Sequence, residues 1–196
     1  MRMNAETLDK DFRGYSKSVM LVLQEFVRGA LKNVHGTVGS LIKVDNDYVI
    51  AIEMALGYTI QNIVVSTEED GKDAINYLKR HNGGRATFLP VSSVKGNILN
   101  ENEFRTDDGF EGIALDLVDY DPEHKGVLAS LLGQVVVTDD LNSAVRIARK
   151  HSYKYKIVTL DGQVMNIGGS MTGGSFANNA GILSRANELS KLNDAY

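Results

Sequence analysis

The sequence predicts a mixed α+β (α/β) chain of two related subdomains, with one helix leading in and another leading out. Three observations carry this. The chain matches itself at an offset of roughly 70 residues. Each copy alternates short β-branched runs with segments of helical periodicity. Each end carries an apolar stripe at heptad-like spacing.

At the amino end, Leu8, Phe12, Tyr15, Val19, Val22 and Phe26 follow a 4-3-4-3-4 spacing and predict one helix with a seam. Ile182, Ala186 and Leu189 repeat that spacing at the other end. Both read as pieces of longer helices, whose seams either meet each other or pack on the body. Asn33, Val34, His35 and Gly36 read as punctuation before a strand over 38–44 and a helix over 48–56.

The two matching stretches are 55–91 and 131–162. In each, Leu-Gly closes a helix and a strand follows, at 63–67 or 135–138. Thr67 with Asp70, and Thr138 with Asp139, are placed to accept the free N–H groups of the next helix. Ala74, Ile75 and Leu78, or Leu141, Ala144, Val145 and Ala148, supply one apolar face to each of those helices. A second strand comes at 86–89 or 157–160, and the acidic stretch 100–112 joins the copies.

Composition narrows the function classes. With 43% hydrophobic residues the chain can bury a core, and the absence of Cys excludes a disulfide scaffold, a thiolate zinc site and a cysteine nucleophile. No apolar run reaches the roughly 18 to 20 residues that span a bilayer, and the polar start lacks a secretory core, so a cytoplasmic location is expected. Net charge is +2 over residues 1–35, −9 over 36–139 and +3 over 140–196. An acidic centre argues against a stand-alone nucleic-acid-binding module.

The segment IGGSMTGGSFANN at 167–179 is the most unusual string. It reads as a phosphate loop, as a flexible connector, or as a place where backbones approach closely because glycine lacks a Cβ. No Lys follows the glycines, which weakens the first reading. Close approach of another strand or subunit is favoured, and the deformable Met171 suits it. His35, His81, His124 and His151 show no metal-ligand spacing and are expected at the surface, as are Asp107 and Asp108 in a loop beside Gly109. No catalytic residue, metal ligand or cofactor is expected.

Taken in order, Gly14-Tyr15-Ser16-Lys17-Ser18-Val19, LKNVHGTVGSLIKVDNDYVIAIEMALGYTIQNIVV, GRATFLPV, LLGQVVVTDDL and KIVTLDGQVMNIGGSMTGG resemble the hinge domain of SMC (structural maintenance of chromosomes) proteins, over residues 14–174. The resemblance implies two pseudo-symmetric subdomains with small mixed sheets and helices, between the ends of an antiparallel coiled coil. On that reading 1–31 is a coiled-coil stub and lead-in helix, 32–112 the first subdomain with linker, 113–177 the second, and 178–196 the other stub.

It also implies a homodimerisation module of a prokaryotic, nucleoid-associated ATPase for chromosome condensation and segregation. The ATPase heads and the contacts to accessory subunits would lie elsewhere in the full-length protein; Gly-x-x-x-x-Gly-Lys-Ser/Thr is absent here. The double-glycine signature maps onto Gly168, Gly169, Gly173 and Gly174, with Ser170, Met171 and Thr172 between the pairs, at the dimer interface. Weak DNA contact would fall to Lys32, Arg146, Arg149, Lys150, Lys154, Lys156 and Arg185. Where many members carry lysines after the second glycine pair, this chain has Ser175-Phe176-Ala177-Asn178-Asn179. The rival is a small-ligand-binding α/β enzyme using 168–174 as its phosphate loop.

Overall fold

In the computed structural model, which describes residues 14–175 and 181–194, the first helix begins later than the apolar stripe predicts. Ser16 is extended and its hydroxyl accepts the Val19 N–H at 3.4 Å, so helix α1 runs Lys17–Arg28 and ends at Gly29 with φ 86°. Tyr15 therefore precedes the helix, while Leu8 and Phe12 lie outside the described residues. Val19, Val22 and Leu23 form the buried face of α1.

Two copies of one pattern follow. The first consists of β1 (Val34–Thr37), a 3-10 turn (Gly39–Leu41), β2 (Ile42–Val44), α2 (Val49–Leu56), β3 (Ile63–Val65), α3 (Glu68–Arg80) and β4 (Phe88–Pro90). The second repeats it with β5 (Phe110–Ile113), a 3-10 turn (Ala114–Leu117), β6 (Val118–Tyr120), α4 (Lys125–Leu132), β7 (Val135–Thr138), α5 (Leu141–Lys150) and β8 (Lys156–Thr159). A hairpin of β9 (Val164–Met165) and β10 (Met171–Thr172) is added, and α6 (Ile182–Asp194) leads out. No helix among the described residues is long and apolar enough to cross a membrane.

The repeat thus starts earlier than its most legible residues. In each copy the opening strand pairs antiparallel with the next, β1 with β3 and β5 with β7, and both ladders shift register just before a glycine, Gly36 or Gly112. Val34 and His35, read as punctuation, belong to β1, and only 42–44 of the predicted 38–44 strand is extended. Parallel partners then join, β4 to β3 and β8 to β7, giving sheets ordered β1-β3-β4 and β10-β9-β8-β7-β5. The helices between parallel strands start as capping chemistry requires. Thr67 and Asp70 form a reciprocal capping box on α3. On α5 the cap is Asp140, which accepts the Ser143 N–H at 2.8 Å, one residue after the predicted Thr138 and Asp139.

The copies meet through β2 and β6, which pair antiparallel with Ile42 opposite Tyr120, Lys43 opposite Asp119 and Val44 opposite Val118. Beneath that ladder one core spans both copies, including Val38, Ile52, Leu56 and Val64 from the first and Leu115, Leu128, Leu132 and Val158 from the second. A satellite core under α1 and α3 gathers Leu23, Ile63, Val65 and Leu78, and its counterpart under α5 gathers Phe104, Val136, Ile147 and Ile157.

The acidic stretch before β5 is a packed strap rather than a free linker. Leu99 donates its N–H to Gly133 O at 2.9 Å, and Phe104 is fully buried against the second subdomain. Because β5 belongs to the second sheet, a boundary at 112 and 113 falls inside a strand. Asp107 is not an exposed loop residue: its side chain is 7% exposed, paired with Lys150 and with His151 Nε2 at 3.1 Å. Burial alone would raise its pKa, but hydrogen bonds from Lys150 and His151 outweigh burial and hold the carboxyl below its ordinary value.

Phe104→Ala should cost about 3 to 5 kcal/mol of stability, as expected for a fully buried aromatic. Urea unfolding measures it, with Ile98→Ala, at a 43% exposed position of the same strap, as a control near the starting value. A depressed carboxyl stabilises above its unfolded pKa and loses that contribution as pH falls through its folded pKa. Asp107→Asn should therefore lower the urea midpoint at pH 7, and its gap to the native chain should narrow between about pH 5 and pH 3.

Candidate dimerisation edges

Among the described residues, each of the two larger sheets ends, on the side away from β1 or β5, in a strand whose outer backbone has no ladder partner. On the first sheet that strand is β4. Thr87 O accepts the Ile63 N–H and the Val91 N–H donates to Val65 O, both at 2.9 Å. Alternation along the strand then turns the N–H and C=O of Phe88 outward. Pro90 ends the strand with no N–H to offer, a position suited to an edge.

On the second sheet the edge is β10. Asn166 N donates to Ser170 O at 2.7 Å, and Thr172 faces Val164 across the ladder. The N–H and C=O groups of Met171 and Gly173 therefore face away from β9. Met171 is 55% exposed, and Ser170 and Thr172 to Gly174 are exposed with it.

The two glycine pairs have different tasks. Gly168 and Gly169 make the turn between β9 and β10, with φ of 87° and 100°; Gly168 N donates to Tyr153 O at 2.9 Å and Gly169 N to Asn166 O at 3.0 Å. A Cβ on Gly169 would also stand 3.3 Å from the Tyr153 ring, so conformation and space both demand glycine there. The second pair lies on the edge itself. Gln163 holds Gly174 as a strand would, accepting its N–H at 2.8 Å and donating to its O at 3.1 Å. Among the described residues a Cβ on Gly174 would meet nothing within 4 Å, and its φ of 141° itself favours glycine.

This geometry overturns the phosphate-loop reading. The glycine segment forms a hairpin turn and an edge strand, and the next helix has its N-terminus filled. Glu53 on α2 accepts the N–H groups of Leu183 at 2.6 Å and Ser184 at 3.0 Å, placing a carboxylate where an anion would bind. Asn187 adds hydrogen bonds to Val44 O and Asn46. Of the predicted stripe on α6, Ala186 and Leu189 are exposed; the residue buried there is Leu183. Gly14, just before α1, lies beside Ile182 and Arg185, so the incoming and outgoing segments converge.

The seven basic residues do not form one patch of equal reach. Lys32, Arg149 and Lys154 are exposed. Arg146 Nη2 donates to Asp108 O at 2.9 Å and Lys150 pairs with Asp107, so both brace the strap. Lys156 is turned inward, donating to Ala55 O at 3.0 Å, and burial pushes its pKa down. Arg185 is half-buried on α6. Three histidines also depart from the expected surface positions; His151 is half-buried against Asp107. His124 is buried and His35 half-buried, and they face each other across the two subdomains, a pairing hidden by a sequence separation of 89.

Two pseudo-symmetric α+β copies around a shared core, converging end segments and an open strand edge on each sheet define a hinge-type assembly module. The family profile for the SMC proteins' flexible hinge domain matches residues 31–148, and the chain belongs to that family. It is 40% identical over 188 residues to the chromosome partition protein Smc of Bacillus subtilis, a match covering 94% of this chain and 16% of that protein. It is 37% identical over 171 residues to the Smc of Methanocaldococcus jannaschii, covering 87% of this chain and 14% of the relative. The chain therefore spans about one sixth of the length of these relatives. Among solved structures, an asymmetric dimer of the Geobacillus stearothermophilus SMC hinge domain superposes with a TM-score of 0.87 at 42% identity, covering 97% of this chain and 77% of that one. The Pyrococcus furiosus Smc hinge domain with an extended coiled coil gives 0.68 at 31%, covering 91% and 63%.

Proposed function

We propose that this chain is the dimerisation joint of a chromosome-partition SMC ATPase. In this reading β10 of one protomer pairs with β4 of its partner, and a twofold axis repeats the contact, closing a ring of two protomers. The observation that carries it is the pair of open edges, one on each related sheet, the second bounded by glycines. A sheet edge with outward N–H and C=O groups is a template for another strand, and residues lacking a Cβ let two backbones close on it.

The segment from Gly168 to Gly174 would divide accordingly. Gly168 and Gly169 shape the turn, Ser170, Met171 and Thr172 present the strand, and Gly173 and Gly174 keep its end clear. In the same reading the joint performs no chemistry. ATP hydrolysis and the accessory subunits belong to parts of the full-length protein beyond the matched one sixth, and the whole acts at the chromosome in the cytoplasm.

Met171→Pro should abolish self-association, because Pro removes an outward N–H while sparing the bonds between β9 and β10. Sedimentation equilibrium should show the native chain at dimer mass and the variant at monomer mass with unchanged circular dichroism; a variant that stays dimeric sinks the assignment. DNA contact would rest on Arg149 and Lys154 with Lys32. Binding should be weak and fall steeply with salt, so an anisotropy titration at two salt concentrations, with Arg149→Ala/Lys154→Ala alongside, measures it; absence of binding at low salt removes it.

A further inference from the structure

The fold brings together three side chains that no linear motif connects. His35 comes from β1 of the first subdomain, whereas Glu123 and His124 stand in the 3-10 turn just before α4 in the second. His35 Nδ1 and His124 Nε2 are 2.8 Å apart, and each of the three residues offers a ligand atom within 4.8 Å of the other two. His124 is 6% exposed, and its Nδ1 has no hydrogen-bond partner among the described residues. Two neutral imidazoles carry two N–H groups and two lone pairs; one of each is used between the rings, and the outer nitrogen of His35 meets Ser66 Oγ at 2.8 Å. In either tautomer the remaining nitrogen, His124 Nδ1, is unsatisfied.

We propose that His35, His124 and Glu123 form a binding site for a divalent transition metal of the zinc class, clamping the two subdomains together. Two imidazole nitrogens and a carboxylate are a donor set that zinc accepts, with a fourth position left to solvent. Glu123 is exposed and gives an ion access from the rim, while His124 lies behind it.

The supporting geometry is close to what coordination needs. Nitrogens each about 2.0 to 2.1 Å from a tetrahedral ion stand about 3.3 Å apart, with their ring centroids roughly 5 Å apart. The centroids here are 5.0 Å apart with the rings inclined at 69°, and the facing nitrogens meet nearly head-on. To coordinate, the nitrogens must open by about 0.5 Å and each ring must swing by roughly 35° so that both lone pairs converge on the ion. Ser66 supplies the outer-shell partner typical of a ligating imidazole: accepting from Nε2–H, it leaves the Nδ1 lone pair of His35 free for the ion. Coordination needs at most a tautomer change in one ring, so no proton has to leave.

The surroundings favour a cation. Asp121 acts electrostatically on His124, and Asp70 on His35.

The test is calorimetric titration of the chelator-stripped 196-residue chain with ZnCl2, with CoCl2 added in parallel for its visible absorption. One saturable equivalent per chain is expected, with a tetrahedral cobalt spectrum and a thermal midpoint raised by Zn²⁺ but not by Mg²⁺. His124→Gln should abolish the cobalt band, and Glu123→Gln should weaken zinc binding about tenfold or more. The second variant changes only an exposed side chain, so its reading stands even if the first fails to fold. His81→Gln, at an exposed histidine stacked on Tyr77, should bind as the native chain does. Failure to saturate at one equivalent, or unchanged affinity in Glu123→Gln with a folded His124→Gln, overturns the site.

Discussion

The antiparallel ladder between β2 and β6 is the joint on which the rest of the structure depends. Each copy alone encloses only a small satellite core, and the largest apolar cluster is shared between the two. Pairing β2 with β6 brings the inner faces of α2 and α4 over one apolar interior, so that Leu56 and Leu132, each beside the glycine that ends its helix, share one core cluster. The other two sheets keep their own ends, with β4 opposite β1 on the first and β10 opposite β5 on the second.

That division explains why the added hairpin matters. The first sheet stops at β4, whereas the second continues past its equivalent, β8, through β9 to β10. At the sheet edge the symmetry between copies is broken there, and it is broken by backbone. Gln163 does with one side chain what another strand would do along the inner side of Gly174, which leaves the outer side bare. An edge prepared in this way is complementary to a plain one, which suits unlike edges meeting across a twofold axis.

Much of the architecture was legible because local rules agree with the global fold. The Leu-Gly helix ends, the β-branched runs and the capping residues recur in both copies and pointed to the repeat. The upstream half escaped notice because little more than a glycine is kept in register: His35-Gly36-Thr37 stands where the second copy has Glu111-Gly112-Ile113. Phe104 was hidden by acidic neighbours whose own side chains are solvated. Which lysine turns inward is likewise a tertiary matter. Lys156 looks like its basic neighbours in sequence, but it opens a strand whose next three residues are buried, and its only outlet is the carbonyl end of α2. For the glycine string, the residue type announced closeness of backbone, while only the pairing of β9 with β10 separated turn from edge.

The seating of the outer helices sets a path for mechanical load. Helix α1 packs beside β1 and α3, and α6, although it follows the second copy in the chain, is gripped by Glu53, Val44 and Asn46 of the first. Tension on either arm is therefore taken up first by one half of the molecule, and the β2–β6 seam, the common interior, the His35–His124 contact and the Lys156 tether pass it to the other. The first half works as the bracket and the second as the coupling.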